Sequence, residues 1–205
     1  MPKLLLATSN PGKQREYRQL LAGVGWDLVT PQELGLALTD EEGRVSYEDN
    51  AVAKAQSAAR ASGLVALADD SGLEVDALGG EPGPFSARFA GPNATDDQRL
   101  QYLLARLAEV PPQRRQARFR CVIAIVQPSG QVATCEGTCE GVIAPEPSGA
   151  DGFGYDPIFY LPQQGLTMAE LSAQEKNAIS HRARAAQKAR ALLSSIPAHP
   201  STGSE

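Results

Sequence analysis

Three cysteines and two histidines in 205 residues leave little material for a disulfide framework or a soft-metal centre. Cys121, Cys135 and Cys139 are odd in number and fall in stretches that read as strands, while His181 and His199 cannot complete a zinc-type ligand set. Free, reduced thiols are expected. Long apolar runs are also missing, and none approaches the length that spans a bilayer. The opening MPKLLLATSN carries one lysine and an apolar run too short for a signal peptide, so the expectation is a cytoplasmic protein with no membrane partner. Positive charge is scarce as well. The 19 Lys and Arg against 24 Asp and Glu give a net charge of −5, which argues against a general nucleic-acid binder, because phosphate backbones require a basic footprint. Any anion site must be local. What remains is an ordinary globular composition, long enough for one domain that buries a substantial core. That domain is expected over 1–196, with 197–205 as a tail lacking periodicity.

The chain is organised around residues 66–91, ALADDSGLEVDALGGEPGPFSARFAG. An apolar run from Leu64 to Ala68 reads as a buried strand, and two carboxylates follow it directly. Neighbouring residues on an extended chain point to opposite faces, so Asp69 and Asp70 must do different jobs. One holds a metal or water and the other braces the loop. Ser71-Gly72 is expected to bend the backbone sharply at that point. Beyond it, Gly79 to Pro84 cannot be regular structure, and Phe85 to Phe89 reads as a shaped loop presenting Arg88.

Other segments carry their own signals. Lys3–Thr8 reads as a strand, Ser9-Asn10-Pro11-Gly12 as a turn and Lys13–Leu21 as a helix. Such a loop offers backbone N–H groups and a positive helix end to an anion, with the Lys13 charge added. It is not the Walker loop, since Lys13 is followed by Gln14 and not by Ser or Thr. Asp40-Glu41-Glu42 forms an acidic patch before Ser46, from which a helix runs to about Gly63. Asn50 and Lys54 share one face of it. Thr95 and Gln98 resemble a capping box that starts a structural helix with Leu100, Leu103, Leu104 and Leu107 inward. Gln116–Gln127 and Gln131–Val142 read as a hairpin whose arginines Arg118 and Arg120 line a half-exposed face. Gly152-Phe153-Gly154-Tyr155-Asp156 sets two aromatics among glycines, either as core anchors or as rings open to a flat ligand. Lys176, His181 and Arg182 converge only if a helix breaks at Ser180 and restarts there with the serine as N-cap.

The blocks ATSNPGK (7–13), DNAVAKA (49–55), ADDSGLEVDALGGEPGPFSARFAG (68–91), GFGYDPIF (152–159) and EKNAISHRARA (175–185) together resemble the inosine triphosphate pyrophosphatase family. These enzymes act on non-canonical purine nucleoside triphosphates. The resemblance runs from Lys3 to Leu193 in family order. It implies an α/β fold with a long, twisted mixed sheet and flanking helices in two lobes around a central cleft, a homodimer, and Mg²⁺-dependent hydrolysis of ITP, dITP and XTP to the monophosphate and pyrophosphate. It also implies roles. Thr8, Ser9, Asn10, Pro11, Gly12 and Lys13 would hold the triphosphate, with Lys54 adding charge. Asp70 would be proton acceptor and metal ligand, with Glu41, or Glu42 beside it, as second ligand. Ser71 would touch substrate, and Phe153, Gly154, Tyr155, Asp156, Lys176, His181 and Arg182 would surround the base. Asp69, Asn50 and Arg88 are further candidates. One departure is Asp49, where the family has Glu, a shorter arm that counts against a metal role there.

Three rival readings are kept beside this one. They are a related pyrophosphatase of the Maf type acting on pyrimidine or modified nucleotides, a non-hydrolysing nucleotide sensor, and a nucleic-acid module resting on the arginines near 114–120. Selectivity is expected at the base. Inosine and xanthine present a 6-oxo acceptor where adenine presents an amino donor, and a buried donor left unpaired by adenine costs ~1–3 kcal/mol.

Overall fold

The computed structural model describes residues 1–37 and 46–197. The acidic patch with Glu41 and Glu42, and the tail from residue 198 with His199, lie outside the described residues. Seven strands form one open sheet in the order β2-β1-β3-β4-β5-β6-β7. They are β1 (Lys3–Leu6), β2 (Asp27–Val29), β3 (Val65–Val75), β4 (Gln116–Val126), β5 (Val132–Ile143), β6 (Phe159–Leu161) and β7 (Leu166–Thr167). β1 pairs in parallel with β2 and β3, in the registers Leu4 to Leu28 and Leu5 to Ala66. β6 runs antiparallel to β5 and β7. The sheet is therefore mixed, and its parallel part reads as continuous apolar sequence because strands buried on both faces show no alternation.

The flanking helices are α1 (Pro11–Leu20), α2 (Tyr47–Ser62), α3 (Asp96–Arg106), α4 (Ala173–Ile179) and α5 (His181–Ser195). Their ends follow local chemistry. Ser46 caps α2 through Asp49 N, and Gly63 ends it in the left-handed region at φ 66°, where a side chain would be strained. Thr95 and Gln98 form the expected reciprocal capping box on α3. The break at Ser180 is present: its backbone is extended, and its hydroxyl accepts from Ala183 N at 3.2 Å.

Three sequence expectations are corrected. α1 begins at Pro11, two residues before Lys13, because Asn10 accepts from Lys13 N and Pro11 supplies a preformed first turn. The sharp bend at Ser71-Gly72 does not occur; β3 runs straight through Asp69-Asp70-Ser71-Gly72 to Val75. A sheet position overrides the turn propensity of that tetrapeptide. Finally, Gly83–Arg88 forms a short 3-10 helix within the stretch expected to be irregular.

The chain divides into two compact units. The first comprises Met1–Asp70, Val122–Glu136 and Ala185–Glu205. Its core sets Leu5, Ala66 and Ala68 of the sheet against Ala51, Ala55 and Ala58 of α2. The second comprises Ser71–Cys121 and Gly137–Arg184. Its core gathers Leu73, Leu100, Leu103, Phe119, Tyr155 and Phe159.

Candidate active site

In the first unit, β1 delivers the chain to an exposed Ser9-Asn10-Pro11 corner at the N-terminus of α1. Thr8 shapes this corner by accepting from Asn10 N through Oγ1 at 3.2 Å and from Gln14 Nε2 through its carbonyl at 2.8 Å. Gly12 is buried in the first turn of α1. The free N–H groups of a helix start attract anions, and Ser9 to Lys13 are brought to that end.

Asp69 and Asp70 lie side by side on β3 and do take different partners, as alternation demands. Lys13 Nζ sits 3.0 Å from Asp69 Oδ1, with the aspartate side chain 1% exposed. Asn50 Nδ2 donates to Asp70 Oδ2 at 2.9 Å and Lys54 Nζ to Asp70 Oδ1 at 3.3 Å. Asn50 and Lys54 are one turn apart on α2, which is why both reach one carboxylate. Two lysines and two aspartates sum to zero charge, so this cluster by itself offers a polyanion orientation and no net attraction.

The second unit contains the other residues. Ser71, which follows Asp70 on β3, accepts from Arg182 Nη2 at 3.0 Å. The Arg182 guanidinium lies 5.5 Å from the centre of the Phe153 ring and the Lys176 ammonium 4.9 Å from it, both within cation–π range. Lys176 is buried and paired with Asp156 Oδ2 at 2.7 Å, and the same oxygen accepts from Phe153 N at 2.9 Å. Gly152 sits at φ 81°, and a Cβ there would stand 2.2 Å from Asp156 Oδ2. Only glycine lets that carboxylate reach across the loop. His181 stacks on Phe119 at 4.7 Å between ring centres and 18° between planes.

The two aromatics of the glycine loop part ways. Phe153 is half-buried, with two cations near its ring, whereas Tyr155 is core, with its hydroxyl donating to Ser86 O at 2.9 Å. Burial holds that phenol's pKa above the ordinary tyrosine range, so it stays protonated and keeps donating. Arg88 folds back over Phe85, 5.3 Å from the ring centre. Arg118 pairs with Glu74, Asp76 and Glu140, which accounts for its charge without a nucleic acid. Sequence reasoning missed Asp96, whose Oδ2 accepts from Gly154 N at 2.8 Å. Its position in a capping sequence explained it fully at the local level, and a partner 58 residues away leaves no local signal.

Comparison with known proteins extends these observations to the whole chain. A dITP/XTP pyrophosphatase of Desulforamulus reducens is 50% identical over 198 residues, covering 96% of this chain and 98% of that protein. A dITP/XTP pyrophosphatase of Escherichia coli O157:H7 is 50% identical over 187 residues, covering 90% and 94%. The solved structure of a HAM1 protein from Coxiella burnetii superposes with a TM-score of 0.86 at 43% identity, covering 96% of this chain and all of that one. The Ham1 family model matches residues 4–192, from β1 into α5 and through every block named above, and the chain belongs to the Ham1 family.

Proposed function

We propose that this chain hydrolyses non-canonical purine nucleoside triphosphates, ITP, dITP and XTP, to the nucleoside monophosphate and pyrophosphate. The observation that carries the reading is Asp70, a buried carboxylate in mid-strand with both oxygens aimed by Asn50 and Lys54. Asp70 takes the proton from a water as its oxygen bonds to the α-phosphorus. The bond from that phosphorus to the oxygen bridging toward the β-phosphorus breaks, and pyrophosphate leaves. The N-terminus of α1, with Thr8 to Lys13, holds the leaving phosphates.

Mg²⁺ belongs to this proposal. Among the described residues no group of three or more His, Cys, Asp or Glu side chains is placed to cage a metal. Mg²⁺ needs less, because it commonly takes one or two carboxylates and completes its octahedron with water and substrate phosphates. Asp70 is a hard oxygen donor of that kind, with Glu41 or Glu42 as the second. When bound, the ion supplies the positive charge that the neutral lysine–aspartate cluster does not, and it acidifies water. The wider reading is a cytoplasmic homodimer built as one two-lobed domain over 1–196, with neither nucleic acid nor membrane as partner. No helix among the described residues is long and apolar enough to cross a membrane.

The test is a screen of ITP, dITP, XTP and the standard triphosphates with Mg²⁺, reading pyrophosphate and orthophosphate separately. Pyrophosphate from the first three and little from ATP is expected; orthophosphate, or equal turnover of ATP, rejects the reading. Two variants then separate affinity from selectivity. Phe153→Ala is expected to weaken every purine nucleotide by ~1–3 kcal/mol, because stacking does not read the base edge. Arg182→Ala is expected to narrow the gap in kcat/KM between ITP and ATP. Proportional loss on both nucleotides places Arg182 on phosphate or in support of the loop.

A further inference from the structure

The capping box and leucine stripe of α3 account for the helix, and its first residue takes no part in the chemistry above. Its contacts give that residue a second duty. Asp96 Oδ2 receives the N–H of Gly154, the residue next to the Phe153 ring, at 2.8 Å. Its other oxygen pairs with Arg99 Nη2. Arg99 is itself fixed, since its Nη1 donates to the carbonyls of Ala87 at 2.9 Å and Ala94 at 2.6 Å. The carboxylate therefore has one oxygen anchored and the other spent on the aromatic loop.

The loop needs such an outside hold. Gly154 lies at φ 63° with nothing within 4 Å of where a Cβ would stand, so no contact on that side holds it. Each of its neighbours is pinned by a different partner. Phe153 N donates to Asp156, and the Tyr155 hydroxyl donates to Ser86 O. Ser86 is secured in turn, accepting from Leu73 N at 2.9 Å and donating to Gly83 O at 2.6 Å. Asp96 completes the series at the middle residue. Its side chain is 45% exposed, and an ion pair so exposed contributes little to stability. Helix-dipole stabilisation does not single it out either, because Asp97 offers the same charge in the same first turn. What Asp96 alone supplies is the aim of the Gly154 peptide.

We propose that Asp96, locked by Arg99, is a positioning residue that holds the Phe153 ring at one height and tilt for a purine. The inference rests on the reading of this chain as a purine nucleoside triphosphate pyrophosphatase. The experiment compares the parent with Asp96→Ala, Asp96→Asn and Asp97→Ala, by steady-state kinetics on dITP and by amide hydrogen exchange at Gly154. In Asp96→Ala the KM for dITP is expected to rise roughly tenfold, the loss of one charge-assisted hydrogen bond, with kcat within about twofold of the parent. Gly154 exchange should accelerate in the same variant. Asp96→Asn keeps an acceptor oxygen and should recover most of the KM, and Asp97→Ala should match the parent. A role confined to helix stability would lower kcat through the folded fraction, leave KM unchanged and be copied by Asp97→Ala; that pattern overturns the proposal. So does unchanged Gly154 exchange in Asp96→Ala. If the parent does not turn over dITP, the functional reading falls, and the exchange data still decide whether Asp96 holds the loop.

Discussion

Asp70→Asn is expected to lower kcat on dITP by roughly 10²–10⁴-fold, the range for losing a positioned general base, while nucleotide still binds. The geometry adds a second effect. The aspartate receives Asn50 on one oxygen and Lys54 on the other, whereas an asparagine has one acceptor and must turn its NH₂ toward one of those donors. In a site 5% exposed, that mismatch costs ~1–3 kcal/mol of stability. The measurement is therefore made per folded molecule, with kcat corrected by the fraction native at the assay temperature. If activity per folded molecule stays within a few-fold of the parent, Asp70 is not the base.

Asp156→Ala should have the largest effect on stability. The change takes its Asp156 partner from the Lys176 ammonium, whose side chain is 6% exposed, and removes the acceptor of Phe153 N. Removing one partner of a buried pair costs ~3–5 kcal/mol, because the remaining charge has lost its compensation. A fall of that size in the unfolding free energy from urea titration is expected, together with loss of dITP binding as the Phe153 loop loosens. The double variant Asp156→Leu with Lys176→Met removes both charges and should regain much of the stability without regaining binding. Equal destabilisation in single and double variants would mean that packing, and not charge pairing, governs the site.

The sequence was most legible where cause and effect lie within a few residues. Ser46, Gly63, Thr95 with Gln98, and Ser180 each mark a helix end through a hydrogen bond or backbone conformation that the local sequence specifies. Asn50 and Lys54 could be placed on one face because helical spacing is local too. Legibility failed where the decision was made elsewhere. Asp69-Asp70-Ser71-Gly72 has the composition of a turn, and the sheet in which β3 lies, not the tetrapeptide, keeps it extended. Tyr155 and Phe153 look equivalent in sequence, yet Ser86 O claims one into the core and leaves the other among cations. The strands β2 and β7, three and two residues long, are too short to show any period.

Ala51, Ala55, Ala58 and Ala59 on the buried face of α2 have no chemistry of their own, yet they act as a spacer of fixed thickness. Side chains this small allow the helix axis to ride close to the sheet, and only from that distance do Asn50 and Lys54 meet Asp70 without stretching. Methyl groups thereby set the position of the Asp70 carboxylate, the base of the proposed reaction. The tolerance of the reaction is the thickness of a shim, and a valine or leucine beneath α2 would detune it by lifting the helix, with every active-site residue intact.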